Sequence, residues 1–95
     1  MIPVALLLVL HAFRFPPVWQ HLSAVRILTR RGQFIKADMA ATELWMQVRT
    51  PRAFTLIECT ERLKTRCSAK ERHIRVRAVL AACDRIDSSR DRLED

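Results

Sequence analysis

Cys59, Cys67, His73 and Cys83 carry the sulfur and nitrogen donors that hold zinc, so they come first as candidates for chemistry. Seven, five and nine residues separate them in turn. Zinc modules use close cysteine pairs on a tight knuckle, and these spacings give none. Cys59 and Cys83 also fall at or near core positions of helical patterns, where free cysteine behaves as a small hydrophobe. No metal site is read. His11, His21 and His73 form no local signature with a cysteine nucleophile. Glu58 and Glu61 share a helix face within reach of Arg62 and Lys64, and surface ion pairs explain them more simply than acid–base catalysis. The residues point to no enzyme and to no cofactor.

The strongest charge feature is the run Arg62, Lys64, Arg66, Lys70, Arg72, Arg75 and Arg77, interrupted by an acid only at Glu71. With a net charge of +7, the chain suits nucleic acid, an anionic membrane or an acidic protein. On paired helices the run would track phosphates. No aromatic residues interleave for base stacking, however, and a solvated polar face is the simpler account. Phe54-Thr55-Leu56-Ile57-Glu58 resembles the cleavage motif of type IV prepilins. That motif follows a glycine and opens a long apolar helix. Here Ala53 precedes it and Glu61, Arg62 and Lys64 follow, so the helix could not enter a bilayer. The match is accidental.

Helices must position all of these residues. One glycine and four prolines exclude a Gly-rich nucleotide loop and disfavour sandwiches and barrels. The chain reads as all-α, with about five short helices in antiparallel hairpins. The expected helices cover residues 3–13, 17–30, 34–49, 51–66 and 69–86. Residues 1–87 form one helical domain, and 88–95 a flexible tail. Val18, Leu22, Val25 and Leu28 share one face of the second helix, and Phe34, Ala37, Ala41, Leu44 and Val48 one face of the third. Ile35, Met39 and Met46 add a second apolar strip to that third helix. Phe54, Leu56, Ile57, Thr60 and Leu63 are expected inward on the fourth helix. Val76, Val79, Leu80, Cys83 and Ile86 are expected inward on the fifth. Thr50-Pro51 reads as an N-cap and first helical residue, and Ser68 with Glu71 as a capping box.

Residues 2–10 are apolar apart from a proline suited to a first helical turn. No basic residue precedes them and no A-x-A-like cleavage site follows, and the run is too short to span a bilayer. A buried first helix is preferred, and a membrane contact through residues 2–15 is the lesser alternative. An odd number of cysteines, three, implies no disulfide framework and fits a cytoplasmic location.

Gly32 is the only glycine, set between two helical patterns where positive φ closes a tight turn. The run Arg31-Gly32-Gln33-Phe34-Ile35-Lys36-Ala37 resembles the middle of a tetratricopeptide (TPR) hairpin. Together with Phe54-Thr55-Leu56-Ile57-Glu58-Cys59-Thr60-Glu61-Arg62-Leu63 it is similar to the small TPR-like chaperones of type III secretion needle subunits. The family's second stretch carries cysteine before glutamate, an order reversed here, and this chain is more basic. The resemblance implies a cytoplasmic chaperone that clamps an amphipathic helix of the needle subunit in a concave groove. A small co-chaperone would be a further partner. Trp19, Leu22, Arg26, Met39, Trp45, Phe54 and Ile57, off the seam within the hairpin, would line that groove. The alternatives are a basic nucleic-acid-binding protein and a membrane-associated microprotein.

Overall fold

A computed structural model describes residues 18–94, with the backbone alone from residue 90 onward. It holds four helices: α1 (Val18–Arg30), α2 (Phe34–Gln47), α3 (Pro51–Leu63) and α4 (Ala69–Glu94). They correspond to the last four of the five expected. The helix expected at 3–13 lies outside the described residues. None of the described helices is long and apolar enough to cross a membrane.

The turn after α1 forms as its lone glycine demands. Gly32 has φ of +76°. Its N–H donates to the Thr29 carbonyl at 3.2 Å, and the Gln33 N–H reaches back to the Leu28 carbonyl at 2.9 Å. This Schellman pattern satisfies carbonyls that α1 would otherwise leave open. At the start of α3 the Thr50 hydroxyl accepts from the Ala53 N–H at 3.2 Å, with Pro51 in the first turn. The Ser68 hydroxyl likewise caps the Glu71 N–H at 3.1 Å. The Glu71 carboxylate, however, pairs with Arg75 one turn on, so only half of the expected box forms.

Each helix packs on its neighbour in sequence, and α4 also meets α1. Leu22 and Val25 of α1, Ala41 and Leu44 of α2, Leu56 and Leu63 of α3, and Val79, Cys83 and Ile86 of α4 form one buried cluster. Three expectations are corrected. Phe54 is half exposed (50%), and Ala53 takes the inward position in its place. Small side chains let α3 approach its neighbours closely, and an inward ring at 54 would hold it off. Leu22, assigned to the groove, is fully buried. The last helix does not end near Ile86 but continues through the segment expected as a flexible tail to Glu94, since neither glycine nor proline interrupts it.

Candidate partner-binding surface

Trp45 leaves α2 toward α3 and meets Phe54 edge-on, with ring centroids 5.6 Å apart and planes at 62°. The Arg49 guanidinium stands 5.9 Å from the Trp45 ring centre, within cation–π range. Trp45 and Ile57 are half-buried, while Phe54 stays in solvent on one side. These residues make an aromatic ridge across the α2–α3 seam, edged by a cation. Thr50, whose cap starts α3 four residues before Phe54, fixes the register of the pair.

The other residues assigned to the groove do not join this ridge. Arg26 is occupied between α1 and α4, where its guanidinium pairs with Asp84 at 2.9 Å and with Asp87. Burial pulls its pKa down, and the bonds to Asp87 and Asp84 more than offset that, leaving it raised. Trp19 is an exposed residue at the start of α1. Met39 lies on the outward strip of α2, away from Trp45. Of the seven residues, Trp45 and Phe54 are the two the structure brings into contact, while Ile57, one turn along α3 from Phe54, packs against the core.

The basic run divides in two. Arg72 and Arg75 reach back from α4 to the end of α3. Arg75 donates to the Arg62 carbonyl at 2.8 Å and to the Thr65 hydroxyl at 2.6 Å, and its Nε meets Glu71 at 3.3 Å. Arg72 donates to the Thr65 carbonyl at 3.4 Å and lies 4.9 Å from the Phe34 ring centre. These arginines cap carbonyls at a negative helix end. Lys64 bridges Asp38 at 2.9 Å and Glu61 at 2.6 Å, and both partners raise its pKa, Glu61 first. Arg62, Arg66, Lys70 and Arg77 remain as exposed cations. A cleft of about 410 Å³ opens at the start of α2, where Lys36, Lys64, Arg66 and Arg72 surround Phe34 and Leu63.

Two features have no signature in the sequence reading. The Thr60 hydroxyl donates to the Asp38 carboxylate at 2.8 Å, joining α3 to α2 with Lys64 on the other carboxylate oxygen. His21, buried in α1, faces Gln47 at 3.0 Å and Glu43 at 3.5 Å. Both link residues more than twenty positions apart, so no local spacing announces them. Among the described residues no three His, Cys, Asp or Glu side chains come together as a metal requires. Burial pushes the Cys83 thiol up to about 12, and Cys59 is raised for the same reason.

The chain matches no family model, no curated protein and no solved structure.

Proposed function

We propose that the protein is a small all-α adaptor that holds an amphipathic helix of another protein on the Trp45–Phe54 ridge. The aromatic pair, with Phe54 half exposed and Trp45 half-buried, is the observation that carries the reading. Large rings left partly in water gain most from a partner's apolar face, and buried aromatic anchors dominate such interfaces. Arg49 beside the ridge favours an acidic residue on that helix, as does the net charge of +7. The narrower form is a TPR-like cytoplasmic chaperone of a type III secretion needle subunit. Its support is the resemblance around Gly32, Phe34 and Ala37, with Gly32 at positive φ and Ala37 fully buried. A chaperone of this kind would cover a polymerising subunit's helix and oppose assembly by mass action.

Co-expression with a needle-type subunit tests the narrower form. The expected result is a stable complex that keeps the subunit from polymerising. A subunit that polymerises unhindered removes it. Binding of a synthetic amphipathic helix carrying acidic residues tests the broader form.

Lys36 and Arg66, exposed cations at the cleft at the start of α2 that hold no partner among the described residues, favour a second reading, contact with a nucleic-acid backbone. Binding to DNA or RNA that weakens steeply with salt would support it. Arg66→Glu with Lys70→Glu is the appropriate variant, because Arg72 and Arg75 hold the α3–α4 turn. An absence of binding at low salt excludes the reading.

A further inference from the structure

Ile35, Met39, Thr42 and Met46 follow one another along α2 at intervals of four, three and four residues, so they form one uncharged stripe on a single side of the helix. The stripe lies opposite Ala37, Ala41 and Leu44, and Ile35, Met39 and Met46 remain 69%, 59% and 65% exposed. The Thr42 hydroxyl donates to the Asp38 carbonyl of its own helix at 2.9 Å, so it requires no bond across a seam. Among the described residues α2 packs only on α1 and α3, and neither covers the stripe. We propose that a second copy of this chain covers it, with the two α2 helices antiparallel about a twofold axis between Met39 and Thr42.

The stripe has the spacing of a coiled-coil seam and is complementary to itself when reversed. That axis sets Ile35 against Met46 of the copy, and Met39 against Thr42 of the copy. Charge then chooses the orientation. Lys36 and Glu43 border the stripe on the α1 side, where Glu43 lies 3.5 Å from His21, and both are exposed. Asp38 and Trp45 border it on the α3 side, beside Lys64 and Phe54 respectively. A twofold axis across the seam keeps like borders together. Lys36 therefore meets Glu43 of the copy, and the symmetry makes this opposite-charge pair twice. Parallel pairing would instead bring Asp38 against Glu43 of the copy, two like charges. Both Trp45–Phe54 ridges fall along the other border, so the dimer presents them on one face. The seam is short. Four side chains from each copy bury well under the roughly 800 Å² per partner of a stable interface, so the dimer should be weak, half dissociated at about 10–100 µM.

Sedimentation equilibrium of the full chain between about 5 µM and about 1 mM tests the proposal, since self-association follows mass action. A monomer–dimer equilibrium is expected. Met39→Glu, at an exposed position, should weaken it at least about tenfold by placing a charge in the seam, with the helical circular dichroism kept. Lys36→Glu and Glu43→Lys should each weaken it about fivefold or more, because both attractions become repulsions. Mixing these two variants should restore association, since each then offers the charge that the other lacks. A chain that stays monomeric over the whole range would overturn the proposal. So would a dimer that Met39→Glu leaves intact, or two charge variants that associate no better together than apart. If Glu43→Lys does not fold, a photoreactive group at Met39 in the otherwise unaltered chain decides. A crosslink between molecules onto residues 38–46 supports the proposal, and a crosslink elsewhere or within one molecule overturns it.

Discussion

The Thr60 hydroxyl lies 2.8 Å from an Asp38 carboxylate oxygen, while Lys64 holds the other oxygen at 2.9 Å. Burial alone would raise the Asp38 pKa. The bonds from Lys64 and Thr60 more than offset that effect, so Asp38 titrates below its ordinary 3.8. Its folded value is depressed, so its contribution to stability is present above 3.8 and is lost as pH falls through the lower, folded value. Urea unfolding over the acid range should show that decline, and Asp38→Asn should remove this part of it. Thr60→Val keeps the shape of the side chain but loses a bond to a charged group, at a cost of about 1–3 kcal/mol.

Gly32→Val should destabilise by more than about 1 kcal/mol, because a β-branched residue is strained at positive φ. An added Cβ would meet no atom within 4 Å, so the whole effect is conformational. Gly32→Asn, which tolerates the left-handed region better, should cost less. Equal melting temperatures for the Val variant and the unaltered protein would remove this account of the turn.

Thr29 predicts the opposite sign. Its hydroxyl is buried without a hydrogen-bond partner among the described residues. Thr29→Val is nearly isosteric and removes a desolvated polar group, so stability should hold or rise by about 1 kcal/mol. Chemical denaturation measures this directly, and a clear loss would imply an unseen partner for the hydroxyl.

Trp45→Ala should weaken binding of an amphipathic helix by about 2 kcal/mol or more, as loss of an aromatic anchor does. The free variant should stay folded, since Trp45 is half-buried and its ring contact with Phe54 is worth only about 0.5–1.5 kcal/mol beyond area. Titration calorimetry and thermal unfolding, read together, separate a binding role from a core role. Unfolding of the free variant would assign Trp45 to the core.

Cysteine labelling checks the packing of α4. Cys83 is buried with its thiol pushed up to about 12, so it should react with iodoacetamide only after unfolding. Cys67, half-buried in the α3–α4 turn, should react first. Early labelling of Cys83 would contradict the α1–α4 contact.

Local signals carried much of the fold. Gly32 and Thr50 each act within four residues, so the turn and the cap were legible from neighbours alone. Phe54 was misread because hydrophobicity favours the ring as the inward residue, whereas the spacing between helices favours Ala53. One residue is about 100° on a helix, and only the packed neighbours choose between adjacent positions. Arg72 and Arg75 read as part of a free basic face because the carbonyls they cap belong to the preceding helix. The outward strip of α2 was visible as a second apolar period. The Asp38–Thr60 bond needed the pairing of α2 with α3 before it had meaning.

Arg26 joins α1 to residues 84 and 87, and Val79, Cys83 and Ile86 complete a core begun by Leu22 and Val25. Residues through Asp87 must therefore leave the ribosome before the fold can close. Until then a nascent α1–α2 hairpin carries an unfinished apolar surface, the condition in which newly made chains associate wrongly or recruit holding factors. A chain cut short before Val79 would stay in that state permanently.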